Sequence, residues 1–298
     1  MYVFNMPPKS IKKDIKTLTR EQLVDWLAAH DIQPYRAGQI LKWIYARQAD
    51  SFDSMTDLAK DIRQRLSQSF TIDRLLARQI ETSRDGSRKY LFRLKDGNHI
   101  ETVLIPEKGH DTLCISSQVG CAQGCRFCMT ARSGFTRNLT ADEIVSQVHD
   151  VRNDMDDPKR LTNIVVMGMG EPLANYTNLV QAMKTIMDGK FGLGFSKRRV
   201  TVSTAGIVPR LADLGRDITL NLAISLNATN NKTRDRLMPV NRRYPLEMLL
   251  EACRRYPLEP RQRITFEYIL IQGVNDSPED ARRLAILLRN IRSKVNLI

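Results

Sequence analysis

The chain has 298 residues, enough for one large domain or two smaller ones, and with 42% hydrophobic and 27% charged residues it reads as an ordinary globular protein. No run approaches the roughly 18–20 apolar residues of a membrane span, and Met1 to Lys13 carries lysines with no apolar region after them, which argues against a secretory leader. The net charge of +13 suits a polyanionic partner, RNA or DNA; its basic groups, Lys9-Lys12-Lys13, Lys197-Arg198-Arg199, Arg234-Arg236, Arg242-Arg243 and Arg261-Arg263, form no tail and are expected on the surface of the folded body.

Residues 14–70 read as helical. Thr19-Arg20-Glu21-Gln22 is a capping box opening a helix through Ala29, with Leu23, Trp26 and Leu27 on one face. Arg36 to Arg47 follows with Ile40, Leu41, Ile44 and Tyr45 on one face, and a third helix is expected from Met55 to Ser67. This predicts an N-terminal helical, RNA-binding-like module over 1–74.

Residues 75–110 read as a β-hairpin connector. Asp85-Gly86 and Asp96-Gly97 are turn signals around strands Arg88–Leu94 and His99–Ile105.

From 111 onward strands and helices alternate, which predicts parallel βαβ units. The expected strands are Thr112–Ser116, Asn163–Met167, Arg199–Ser203, Leu220–Ser225, Thr265–Ile269 and Lys294–Ile298. Thr140-Ala141-Asp142-Glu143 and Ser277-Pro278 open two of the helices between them.

The loop after the first of these strands carries Cys121, Cys125 and Cys128, a C-x3-C-x2-C spacing. Three thiolates this close can hold three irons of a 4Fe–4S cluster and leave the fourth iron open to a small molecule. The spacing does not suit structural zinc, which takes two separated ligand pairs and a closed shell. Five cysteines, three of them in this motif, point to a reducing cytoplasm rather than a disulfide framework.

In parallel α/β architectures ligands bind at the C-terminal strand ends. Met167-Gly168-Met169-Gly170-Glu171-Pro172-Leu173 follows the second strand, where glycines let backbone approach a ligand. Ser203 ends the third strand and Ser225-Leu226-Asn227 the fourth. Taken singly, each serine could equally cap the next helix.

C-x3-C-x2-C with Phe127 before the last cysteine resembles the radical S-adenosylmethionine (SAM) enzymes. With Cys114, Gln118-Val119-Gly120-Cys121, Gly168-Met169-Gly170-Glu171-Pro172-Leu173, Ser196-Lys197-Arg198-Arg199-Val200-Thr201 and Phe266-Glu267-Tyr268 in order, the whole chain resembles the RlmN/Cfr family of radical SAM RNA methyltransferases, and its adenine-C2 branch most closely. The resemblance implies an α/β fold, a partial (β/α)6 radical SAM barrel over 111–298. It implies a 4Fe–4S cluster on Cys121, Cys125 and Cys128, and SAM contacts from Gly170, Glu171, Ser203, Ser225, Leu226 and Asn227. Asn227 stands where many relatives have His.

The resemblance also implies methylation of adenosine C2 in 23S rRNA and tRNA through a methyl-cysteine. Glu101 matches a proton acceptor. Cys114 matches a thiol that takes the ring proton and resolves the protein–RNA adduct by a transient disulfide. Cys253, in a helical context, reads as a packed thiol. The implied setting is cytoplasmic and monomeric, with no membrane and an electron donor such as flavodoxin. The family continues beyond the position of Ile298 with an Asn-Pro segment and the methyl-carrying cysteine, so this 298-residue form is expected to bind cluster and SAM without completing methyl transfer. The other readings are a C8 methyltransferase of the Cfr type, an inactive iron–sulfur RNA-binding protein, and a radical SAM activase or peptide maturase, against which the basic charge weighs.

Overall fold

The computed structural model describes residues 12–298; Lys9 and most of the Met1–Lys13 stretch lie outside the described residues. The chain divides into two compact units, one running through Arg74 and including Lys190–Gly192, the other taking Leu75–Gly189 and Leu193–Ile298.

In the first unit, β1 (Lys13–Asp14) is followed by α1 (Arg20–Ala28), α2 (Arg36–Tyr45), α3 (Lys60–Ser69) and β2 (Phe70–Thr71), which pairs in parallel with β1. The capping box forms as the sequence predicts: Gln22 N donates to Thr19 Oγ1 at 3.2 Å, and Thr19 N donates to Gln22 Oε1 at 2.9 Å. Leu23, Leu27, Ile40, Ile44 and Leu66 are fully buried, each contributing about 1.5–3 kcal/mol by removal from water. The third helix starts at Lys60 rather than Met55. Met55 and Leu58 are buried as loop residues, Asp57 accepts from Trp43 Nε1 at 2.6 Å, and Ala59 is extended, so residues 55–59 do not turn helical. The Lys190–Gly192 segment packs here because Gly38 has no side chain: a Cβ on it would meet the Phe191 ring at 2.6 Å.

The second unit begins with β3 (Leu76–Thr82), β4 (Arg88–Arg93), β5 (His99–Glu107) and β6 (His110–Cys114). A small pair, β7 (Gln118–Gly120) and β8 (Phe135–Asn138), brackets the cysteine loop and the short α4 (Met129–Arg132). Then come α5 (Ala141–Asp154), β9 (Leu161–Val166), α6 (Tyr176–Met187), β10 (Val200–Thr204), α7 (Val208–Asp217), β11 (Asn221–Ser225), α8 (Asn231–Leu237), α9 (Leu246–Arg255), β12 (Ile264–Tyr268), α10 (Pro278–Leu288) and β13 (Ser293–Leu297).

Nine strands form one sheet in the order β13-β12-β11-β10-β9-β6-β5-β4-β3. The six from β6 to β13 are parallel, lie side by side in chain order and are joined by helical crossovers, the partial (β/α)6 barrel. Each lies within two residues of its expected position. Buried apolar runs make the central strands β10, β11 and β12 legible: Val200, Val202, Leu222, Ala223, Ile224, Ile264 and Phe266 are fully buried, whereas β13 at the edge is exposed from Lys294 to Leu297.

Residues 75–110, expected as a two-strand connector, hold three antiparallel strands continuous with the barrel sheet. β3 escaped the sequence pattern because all seven of its residues are exposed, so no apolar alternation marks it.

Candidate active site

The cysteine loop is held at both ends by backbone geometry. Cys121 N donates to Gly134 O at 2.8 Å, which closes β7 onto β8. Gly120 has φ +75, and a Cβ there would lie 1.9 Å from Gly134 O, so only glycine allows this closure. Further along, Arg126 N donates to Leu237 O at 2.9 Å, and Cys125 and Phe127 pack against Leu237 and Met238 at the end of α8.

The loop after β9 is fastened to the same segment. Gly168 N donates to Ile115 O at 3.0 Å, Met169 N to Ser116 Oγ at 2.9 Å, and Ser117 N to Met169 O at 2.8 Å. Glu171 N donates to Gln118 Oε1 at 2.8 Å. Gly170, at φ +104, lies so close to Gln118 that a Cβ would meet its backbone N at 2.8 Å. Behind them Gln147 of α5, fully buried, takes the place of a strand neighbour for Ser116: its Oε1 accepts from Ser116 N at 2.8 Å and its Nε2 donates to Ser116 O at 2.9 Å.

These loops converge on a cavity of about 250 Å³ at the C-terminal ends of the parallel strands. Cys121, Cys125 and Cys128 border it, with Gly170, Glu171, Ser203, Ser225 and Asn227. Burial pushes the Cys121 thiol up and the Cys125 thiol up to about 12; a thiolate in such a place needs a cation beside it, which iron provides. Among the described residues, no three His, Cys, Asp or Glu side chains converge as one metal ion requires. A cluster spreads its thiolates over separate irons and makes no such demand. The Ser203 and Ser225 side chains border the cavity, and among the described residues their hydroxyls make no protein hydrogen bond. Three thiols, two uncommitted hydroxyls and a close-approach glycine loop fit a 4Fe–4S cluster with SAM.

Other expected residues are placed differently. The buried Glu171 carboxyl, pushed up by burial, accepts from Leu173 N at 3.0 Å and Ala205 N at 2.7 Å, so it joins the rims after β9 and β10. Leu226 is fully buried core and does not border the cavity. Asn227 has φ +55, a left-handed conformation that Asn tolerates. Its Oδ1 accepts from Ile269 N at 2.8 Å and its Nδ2 donates to Met238 Sδ at 3.3 Å, so its side chain is committed within the protein.

Glu101 and Cys114 lie outside the lining of this cavity. Val103 of β5 stands opposite Cys114 of β6, so Glu101, two residues from Val103, shares the face of Cys114. The Glu101 carboxylate pairs with Lys89 at 3.4 Å. Burial pushes the Cys114 thiol up to about 11. All five cysteines are free, so the disulfide implied for Cys114 has no support here, and Cys253 is packed in α9 at 1% exposure.

Arg234, grouped with Arg236 as surface charge, is instead fully buried. It donates from Nε to Leu226 O at 3.0 Å, and from its terminal nitrogens to Asn241 Oδ1 at 3.0 Å, Ala205 O at 2.7 Å and Ser225 O at 3.0 Å. It thus ties together the loops after β10 and β11. Nothing in its charge distinguishes it from its neighbours; only its place in Asn230-Asn231-Lys232-Thr233-Arg234, the first turn of α8 behind an Asn230 cap, could have marked it.

Parallel strands with helical crossovers, a three-cysteine loop after the first and a glycine-rich loop after the second define a radical SAM enzyme, and a Radical SAM superfamily model matches residues 115–285. A model for the ribosomal RNA large subunit methyltransferase N-terminal domain matches residues 13–72. The chain belongs to the RlmN family of radical SAM RNA methyltransferases. It is 59% identical to the dual-specificity RNA methyltransferase RlmN of Desulfosudis oleivorans over 98% of this chain and 79% of that protein. It is 55% identical to the RlmN of Geobacter sulfurreducens over 96% of this chain and 78% of that one. The crystal structure of a radical SAM methyltransferase from Sphaerobacter thermophilus superposes with a TM-score of 0.89 at 45% identity, covering 96% of this chain and 84% of that one. Membership brings a 4Fe–4S cluster and SAM as cofactors.

Proposed function

We propose that the activity this chain serves is methylation of C2 of adenosine in 23S rRNA and in tRNA, by way of a methyl group carried on a cysteine that in the family lies beyond the position of Ile298. The observation that carries this reading is the convergence of Cys121, Cys125 and Cys128 with the Gly168–Glu171 loop, Ser203 and Ser225 around one cavity. Adenine C2 is not nucleophilic, so direct polar transfer from SAM is unfavourable, and a cluster on three thiolates supplies the electron that makes SAM a radical source.

In this reading Cys121, Cys125 and Cys128 hold the cluster. The backbone at Gly170 and the hydroxyls of Ser203 and Ser225 meet SAM. Glu171, Leu226 and Asn227 hold the cavity rim that shapes SAM's place. Glu101 and Cys114, on one face of the sheet, manage the adenine ring proton, and Cys114 resolves the adduct with the methyl-bearing cysteine. The 1–74 module grips RNA together with basic loops at the barrel mouth. The protein works in the cytoplasm as a monomer with a flavodoxin-like electron donor; among the described residues no helix is long and apolar enough to cross a membrane.

The test is anaerobic reconstitution with iron and sulfide, reduction in the presence of SAM, and assay for 5′-deoxyadenosine. Production that is lost in Cys125→Ala and stimulated by RNA is the expected result. A cluster-loaded protein that never cleaves SAM would sink the proposal, and SAM cleavage indifferent to RNA would move the protein to a peptide-modifying class.

A further inference from the structure

The loop that closes the cysteine-lined cavity has a second open space beside it. Gly170, Glu171 and Pro172 border the first cavity; Leu173, Asn175 and Tyr176, the next residues of the same segment, border a second of about 650 Å³. Its opposite walls are Arg210 of α7 and the Arg243-Tyr244 pair before α9. Two cation–aromatic contacts line it. The Arg210 guanidinium lies 5.0 Å from the Tyr176 ring centroid, and that of Arg243 lies 5.4 Å from the ring of Tyr244.

The two contacts differ in freedom. Arg210 pairs with Asp213 at 3.1 Å, and the Tyr176 hydroxyl donates to Asp217 at 2.8 Å, so that wall is braced and nearly neutral. Arg243 is exposed and, among the described residues, has no ion-pair partner. Its cation is available to a ligand's negative charge, and Tyr244 beside it is half-buried with its ring against the guanidinium.

We propose that this groove binds single-stranded RNA, holding the nucleotides that flank the one being modified; the inference rests on the RNA-methyltransferase reading. An enzyme acting on a base carbon must take that base out of its stack, and its neighbours lose a stacking partner in consequence. Unstacked bases are held in proteins by aromatic faces and guanidinium planes, with cations on the phosphates. The groove offers both, one loop away from the cavity where the chemistry is placed. A cavity of this size also lies within the range that takes nucleotide-sized ligands, about 300–1,000 Å³.

The experiment is titration of the full chain with a short, mixed-sequence, single-stranded oligoribonucleotide, followed by fluorescence anisotropy over a salt series. Tyr244→Ala is expected to weaken binding about fivefold or more, the loss of one stacked base, while Tyr244→Phe keeps most of the affinity. Arg243→Ala is expected to flatten the salt slope by about 0.7, one phosphate contact on a single strand. Arg261→Ala, just before β12 and so at the opposite ends of the strands, serves as the charge control and is expected to change binding less than Arg243→Ala does. Cluster absorbance and thermal midpoints establish that each variant folds. Wild-type binding with both groove variants unaltered overturns the groove and leaves the RNA reading standing. Equal losses in Arg261→Ala and Arg243→Ala overturn it too, because the attraction is then a diffuse field. Absence of any RNA binding by the wild type removes the RNA reading and the groove with it.

Discussion

The guanidinium of Arg234 donates to four acceptors, three of them main-chain carbonyls at or just past the ends of β10 and β11. Burial pulls its pKa down to about 10, still far above neutrality, so the group is a cation. A lysine at this position keeps the charge but replaces a planar fork with a point donor on a flexible stem. Arg234→Lys is therefore expected to leave at least one or two buried carbonyls unpaired, at about 1–3 kcal/mol each. The check is a urea midpoint measured beside a SAM titration: both should fall together. An unchanged midpoint with normal SAM affinity would show that the rims after β10 and β11 hold themselves. Glu171 works in the same way from the opposite sign, its two oxygens fixing two backbone N–H groups.

α10 is an element whose position depends on one carboxylate. Burial alone would push the Asp280 carboxyl up, but hydrogen bonds from Ser277, Thr229 and Arg283 outweigh it and hold the pKa at about 2. Ser277 caps the helix, and Thr229 Oγ1, from the loop after β11, donates to Asp280 Oδ1 at 2.6 Å, so the same group anchors the helix to the barrel. A folded-state pKa below the unfolded value of about 3.9 means stability present above pH 4 and lost as pH falls towards 2. Asp280→Asn is expected to cost about 1–2 kcal/mol at pH 5 and to show a smaller deficit near pH 2. Denaturant midpoints at the two pH values check it, and a deficit that does not shrink in acid would contradict the assignment.

At the scale of the whole molecule the cysteine cavity and the helical module belong to different units. Every residue bordering the cysteine cavity belongs to the second unit. A chain starting at Leu75 is expected to take up iron on Cys121, Cys125 and Cys128 and to bind SAM, while its affinity for RNA falls by about tenfold or more as basic surface is lost. Iron content and RNA titration of that shortened chain are the measurements. Retained RNA affinity would remove the helical module from the RNA-binding surface.

The sequence alone determined the elements whose signals are local: the capping box at Thr19, the apolar parallel strands, and the Cys121–Cys128 spacing, which states its chemistry without reference to the rest of the chain. The cavity residues at strand ends were legible for the same reason, because strand ends are where such folds place ligands. What the tertiary structure decided is which polar groups are already taken. Asn227 and Glu171 read as ligand contacts, yet their hydrogen bonds close within the protein, and Arg234 read as surface charge although it is fully buried beneath the loops after β10 and β11. Those outcomes depend on acceptors brought together from Ala205, Ser225, Leu226 and Ile269, far apart along the chain. Hydrogen bonding is directional and short-ranged, so a polar side chain's role is settled by the partners that the fold delivers to it, whereas apolar periodicity and metal-ligand spacing are written in neighbouring residues.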